Sequence, residues 1–244
     1  METSLDVTFS ILARDPQTGE IGAAVASRFF AVGALCIHVE GGVAALATQA
    51  LVNPLYAVQA MPRLRAGEAP EAVLRDLTEP DPGKPQRQFH ILDARGRCAQ
   101  HTGPDCVAWA GQARGADVSV AGNMLAGEAV AHAMLDGFTR GTGGLAERLL
   151  AALEAGEAAG GDKRGRQSAG LKLCGADPYP VLDIRADDHP DPLAELRRLH
   201  RVSLERFAVF RRHLAGAGDP WGTLDRGAIE AAIARDGRPP AVGG

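Results

Sequence analysis

The chain has 244 residues, 45% of them hydrophobic and 23% charged, and 26 Lys and Arg against 30 Asp and Glu give a net charge of −4. That length and apolar share suit one large or two small globular domains and exclude a disordered chain, while no apolar run approaches the roughly 20 residues a membrane-spanning helix needs. Basic residues are dense only at Lys163–Arg166 and between Arg197 and Arg212, so neither nucleic acid nor membrane is expected as a partner.

The first seven residues, METSLDV, carry neither a basic start nor an apolar stretch. They do not read as a secretion signal, and a cytoplasmic location is expected. Cys36, Cys98, Cys106 and Cys174 are scattered without C-x-x-C spacing, which suits reduced, buried thiols rather than a zinc site. No phosphate-loop or dinucleotide fingerprint is present. No metal and no cofactor is expected.

Val7–Ala13 alternates loosely between apolar and polar, "RDPQTGE" supplies a turn, and "IGAAVAS" follows, so the chain opens on a hairpin. Residues 34–40, Gly41-Gly42 and residues 43–50 repeat strand, turn, strand. Two helices come next, Pro54–Arg65 and Pro70–Leu77, then a surface loop at 78–86. Residues 87–103 form another hairpin turning on Asp93–Gly96, and 118–125 a strand ending in a Gly-Asn turn. Helices at Glu128–Phe138 and Leu145–Ala155 precede strands at 168–174 and 181–187. Residues 187–214 read as one amphipathic helix, with Asp191 as N-cap and Pro192 at the first turn. Hairpins interleaved with helix pairs predict an α+β protein of layered antiparallel sheets under helices.

Four stretches, "TFSILARDPQTGEIGAAVASRFFAVGA", "ATQALVNPLY", "GGDKRGRQSAG" and "DDHPDPLAELRRLH", resemble the bacterial family known as domain of unknown function 1028, over roughly Val7–His200. That family is grouped with the N-terminal-nucleophile (Ntn) hydrolases. The resemblance implies a four-layer αββα sandwich over residues 8–190, behind a leader at 1–7. Residues 191–214 would then be a helix packed on it, and 215–244 a short tail. It also implies chemistry. In Ntn hydrolases a Thr, Ser or Cys at the start of the first strand attacks an amide, and its own α-amine, freed by processing, is the base. A hydroxyl is a weak nucleophile until a base accepts its proton; a free α-amine, with a pKa near 7.7–8.0, can do so and a peptide nitrogen cannot. Thr8 occupies that position. While METSLDV remains attached it lacks the amine.

Several side chains are candidates for holding substrate. Arg28 suits a substrate carboxylate or an ion pair with Asp15. Gln49 and Asn53 lie where a strand passes to a helix, Asn53 also being a good N-cap. Asn123 suits ligand contact or a left-handed turn. The glycine-flanked stretch holding Asp162, Arg164, Arg166, Gln167 and Ser168 leads directly into a strand, which favours a functional loop over a closed lattice of ion pairs. No lysine precedes Lys84, so Arg28 or Arg166 would supply positive charge near Thr8. Ser10 reads as a neighbour of Thr8 or a surface hydroxyl, and His90 and His101 as facing each other across a hairpin.

The resulting expectation is an amidohydrolase acting on a small amide-containing metabolite. The alternative is a non-catalytic ligand-binding or assembly protein on the same fold, with a cell-wall link suggested by extensions in some relatives. A homodimer suits a sandwich of this size, although no residue identifies an interface.

Overall fold

The computed structural model describes residues 8–161 and 165–238. The chain divides into two compact units between Leu196 and Arg197. In the first, one sheet holds six strands in the order β10-β9-β2-β1-β8-β7: Pro180–Ala186, Ser168–Cys174, Ile21–Ser27, Thr8–Arg14, Val118–Asn123 and Gly111–Gly115. A second sheet holds β3-β4-β5-β6: Ile37–Glu40, Ala44–Ala50, Arg87–Asp93 and Cys98–Thr102. Every pairing is antiparallel.

Strand alternation explains the layers, because successive side chains leave on opposite faces. Phe9, Ile11, Ala24, Ala26, Val118 and Val120 bury against α4 (Glu128–Arg140) and α5 (Leu145–Ala158), through Val130, Met134, Phe138, Leu149 and Leu153. On the second sheet Ala44, Leu46, Phe89 and Ile91 meet α2 (Leu55–Arg65) and α3 (Pro70–Thr78), through Tyr56, Ala57, Ala60, Leu64 and Val73. Between the sheets Leu12, Ile21, Ala23 and Val25 pack on Ala45, Ala47 and Leu92. The architecture is an αββα sandwich.

Three local expectations need correction. Residues 34–40 do not form one strand: a short helix, α1 (Val32–Leu35), comes first. It starts where Ala31 is left-handed (φ 52°) and the Ser168 hydroxyl accepts the Val32 N–H at 3.0 Å. The strand β7 escapes detection because "GQARG" has two glycines and no β-branched residue. The long C-terminal helix is interrupted at Arg206, with α6 at Pro192–Glu205 and a single turn, α7, at Phe207–Phe210. Asp191 does cap α6, its Oδ1 accepting the Ala194 N–H at 3.1 Å.

The second unit has a small core of Val209, Ala232 and Ile233 beside Ile229. Its helix α8 (Arg226–Asp236) is capped by Asp225, which accepts the Ala228 N–H. Among the described residues no helix is long and apolar enough to cross a membrane.

The turn carrying α1 is held against β9 by backbone contact. A Cβ on Gly170 would lie 2.6 Å from the Gly33 Cα, and one on Gly33 would lie 2.8 Å from the Gly170 Cα. Backbone gives way less readily than a side-chain tip, so Gly170→Ala is expected to destabilise the fold by about 1–3 kcal/mol in urea unfolding. An unchanged midpoint would contradict this close approach.

Candidate active site

Thr8 opens β1 at one end of the sandwich, and the register gathers polar residues around it. It pairs with Ser27 on one side and Asn123 on the other, and Ser27 pairs in turn with Ser168. Directly paired residues share a face with Cβ atoms roughly 5 Å apart, so a polar row crosses the end of the six-stranded sheet. All four side chains are buried. Thr8 Oγ1 donates to Ser27 Oγ at 3.2 Å. Ser10, two residues along, points into the same inter-sheet layer and is fully buried rather than a surface hydroxyl.

The directions of the hydrogen bonds linking Gln49, Asn123, Ser10 and His90 follow from one amide. Gln88 Nε2 faces three oxygens: the carbonyls of Gly111 (3.1 Å) and Gly122 (2.9 Å) and Thr102 Oγ1 (2.9 Å). Carbonyls only accept, so this end of Gln88 is the NH2 group. Its Oε1 therefore accepts, from Gln49 Nε2 at 2.7 Å and Asn123 Nδ2 at 3.1 Å. Gln49 Oε1 is then an acceptor and takes the hydroxyl proton of Ser10 at 2.6 Å. With that proton spent, Ser10 Oγ accepts from His90 Nε2 at 2.9 Å. His90 Nδ1 is bare and accepts from Ser119 Oγ at 2.8 Å, which itself accepts from Gln100 Nε2.

This sequence of donors decides what Ser10 and His90 can do. Their spacing is that of a nucleophile and its base, yet the imidazole nitrogen facing Ser10 already carries hydrogen and cannot take a proton. Burial also pushes the His90 pKa down to about 3. His90 is a neutral structural donor, and Thr8 stands outside this pair at the end of β1. His90 and His101 do not face each other: His90 pairs with Gln100 and His101 with Phe89, placing the two rings on opposite faces.

Strain collects at the same end. Three non-glycine residues at or just beyond strand ends there are left-handed: Ala31 (φ 52°), Ala50 (φ 62°) and Met124 (φ 52°). Each conformation costs on the order of 1 kcal/mol and persists where the surroundings over-determine it, typically around functional sites. The left-handed residue beside Gly122 is thus Met124 and not Asn123, whose extended backbone keeps its amide inside the layer.

The substrate-binding candidates fall into three places. Gln49 and Asn123 lie in the inner layer beside Ser10 and Thr8. Arg28, Arg166 and Gln167 line a cleft of about 690 Å³ together with Glu157, Asp188 and His189. Arg28 follows the last residue of β2, at the opposite end of the hairpin from Asp15. Arg166 spans Glu157 (2.7 Å) and Asp191 (2.9 Å), so its charge is answered by two carboxylates. Gln167 donates to Asp188 Oδ1 at 3.1 Å.

The third group is engaged with backbone or loop partners. The Ser168 hydroxyl bonds Phe29 O and the Val32 N–H. Asn53 accepts the Leu55 N–H at 3.1 Å at the start of α2 and faces Asp81. Asp81 also accepts from Tyr56, Arg87 and the Gly83 N–H. The Tyr56 hydroxyl foremost, then Arg87 and Gly83, hold its carboxyl well below the usual range. Asp162, Arg164 and the leader at 1–7 lie outside the described residues. Among the described residues no group of three or more His, Cys, Asp or Glu is placed to hold a metal ion. No motif in the sequence marks Gln88, Gln100 or Ser119. Their signal is a two-residue polar period, as in "RQFHILD", inside strands otherwise apolar.

The buried imidazole makes a pH prediction. Below pH 6.5 the unfolded chain binds a proton at His90 that the folded chain refuses until about pH 3. Stability held above pH 6.5 is therefore lost as pH falls through that window, by up to about 1.4 kcal/mol per pH unit. His90→Gln keeps a donor for Ser10 and an acceptor for Ser119 but cannot titrate. It is expected to flatten urea-midpoint against pH between 3 and 6.5 relative to wild type; parallel curves would show that His90 is not the group responsible.

The crystal structure of protein SPO2555 from Silicibacter pomeroyi, described as DUF1028, superposes with a TM-score of 0.83 at 32% identity, covering 90% of this chain and 100% of that one. Anbu (ancestral beta-subunit) from Yersinia bercovieri matches far more distantly, with a TM-score of 0.36 at 13% identity, over 85% of this chain and 98% of that one. No curated protein matches the chain. Residues 8–196 match a family of unknown function, DUF1028, and the chain belongs to that family.

Proposed function

We propose that this protein is an amide-bond hydrolase of the N-terminal-nucleophile type, acting on a small amide-containing metabolite, with Thr8 as nucleophile once the peptide bond before it is cleaved. The observation that carries the reading is the position of Thr8. It begins the first strand, its side chain lies in the polar half of the inter-sheet layer, and Ser27 and Asn123 flank it in register.

Cleavage of the Val7–Thr8 bond gives Thr8 an α-amine. Thr8 Oγ1 then forms a bond to the substrate carbonyl carbon while its proton passes to that amine. The carbonyl becomes an oxyanion, for which Asn123 is the nearest side-chain amide in register. Collapse breaks the C–N bond, and the leaving amine takes the proton back. Water, deprotonated by the same amine, hydrolyses the ester and restores Thr8. Because Arg166 is neutralised by Glu157 and Asp191, activation falls to the α-amine rather than to that cation.

Intact-mass and N-terminal analysis of protein from its native cells is expected to find a chain beginning at Thr8. That chain is expected to hydrolyse amides in a metabolite screen, and Thr8→Ala to lower the rate by about 10⁴-fold or more. Turnover by a chain whose Val7–Thr8 bond is intact would refute the mechanism. A full-length, inactive chain would favour the ligand-binding alternative.

A further inference from the structure

Resting on that reading of Thr8, we infer that Gln88 is a positioning residue for the reaction. It holds one side-chain hydrogen of Asn123 so that the other is aimed at the oxyanion formed when Thr8 attacks.

Gln88 is fully buried on β5, in the sheet facing Thr8. Its NH2 group is pinned by the carbonyls of Gly111 and Gly122, one from each strand at the edge of the opposite sheet. Gln88 thus bridges the two sheets at the end where Thr8 lies. Its oxygen accepts from Asn123 and, on its other side, from Gln49. The terminal torsion of an asparagine is broad and soft, so nothing intrinsic fixes the plane of its amide. One hydrogen bond to an immobile acceptor does, since the two amide hydrogens are coplanar and fixing one fixes the other. Thr8 is the register partner of Asn123, so the second hydrogen belongs to the space where an acyl group on Oγ1 would sit. Donors aligned before the reaction are worth far more than donors that must reorient, and losing one costs about 10²–10³ in rate. The remaining members of the layer support Gln88 itself: Ser10 fixes Gln49, and His90 fixes Ser10.

The test uses the processed chain beginning at Thr8 with p-nitrophenyl acetate as an acyl donor. Acetyl transfer breaks the ester bond, forms a new one to Thr8 Oγ1 and releases p-nitrophenolate, while the hydroxyl proton goes to the α-amine. Gln88→Met, which keeps the volume but removes both amide functions, and Asn123→Ala are each expected to slow acetylation by about 10²-fold. If Gln88 acts through Asn123, the double variant is slower than either by no more than about threefold. Losses that multiply, or Gln88→Met at the wild-type rate, overturn the role. Buried against two carbonyls, a glutamate here is held as the neutral acid, its O–H donating to a carbonyl and its C=O accepting from Asn123, so Gln88→Glu is expected to recover to within about tenfold of wild type; a rate as low as that of Gln88→Met overturns it. Should Gln88→Met not fold, Gln88→Glu decides alone, near-wild-type acetylation supporting the role and a hundredfold loss on the order of the Asn123→Ala loss overturning it. A processed wild-type chain that takes up no acetyl group at Thr8 removes the nucleophile reading and this inference with it. Acetylated Thr8 with multiplying losses removes the positioning role alone.

Discussion

The structure turns on a side-chain amide held between two sheets. Gln88 is fully buried, and two backbone carbonyls dictate which of its ends is the donor. A buried polar group left unmet costs about 1–3 kcal/mol, so each partner must present the complementary atom, and the requirement passes from residue to residue. Gln49, Asn123, Ser10, His90 and Ser119 inherit their orientations in that order. The inter-sheet layer is accordingly split. Leu12, Ile21, Val25 and Leu92 pack by apolar contact, and Thr8, Asn123, Ser10, Gln49, Gln88, His90 and Ser119 form a polar lattice beside them.

That polarity separates two hydroxyls that spacing alone leaves equivalent. Ser10 lies against an imidazole and looks activated, but the proton inventory makes it a donor to Gln49 and an acceptor from His90. Thr8 lies at the edge of the lattice, and among the described residues its Oγ1 donates to Ser27 Oγ at 3.2 Å. The lattice fixes the side chains beside it, Asn123 among them. Left-handed residues at Ala31, Ala50 and Met124 mark the same end as one where fold stability is spent on geometry.

The layers were legible because they rest on local patterns. Phe9 and Ile11 alternate with Ser10 and Leu12, turn residues separate the hairpins, and apolar positions at helical spacing recur in α2 to α5. What escaped depends on distant partners. The helix α1 exists because Ser168, far along the chain, receives its first N–H and because Gly170 admits its backbone. The strand β7 is weak by composition and held by its pairing with β8.

The candidate site is legible only in part. Of the candidate residues, Thr8, Gln49 and Asn123 share one polar layer, whereas Arg28, Arg166 and Gln167 line a separate cleft. Nothing local marks the central residue, Gln88. A glutamine in a strand carries no mark of its importance until topology places two carbonyls against it. Ser10 and His90 were noticed as residue types, but only the hydrogen-bond directions say what they do.

The assignment of chemistry to Thr8 rather than Ser10 rests on where the imidazole proton lies, and nitrogen-15 NMR of the His90 ring reads that directly. At neutral pH the expected spectrum shows hydrogen on Nε2 and a bare Nδ1. Hydrogen on Nδ1 with a bare Nε2 facing Ser10 would reverse the lattice and make Ser10 and His90 a competent pair, contradicting the account.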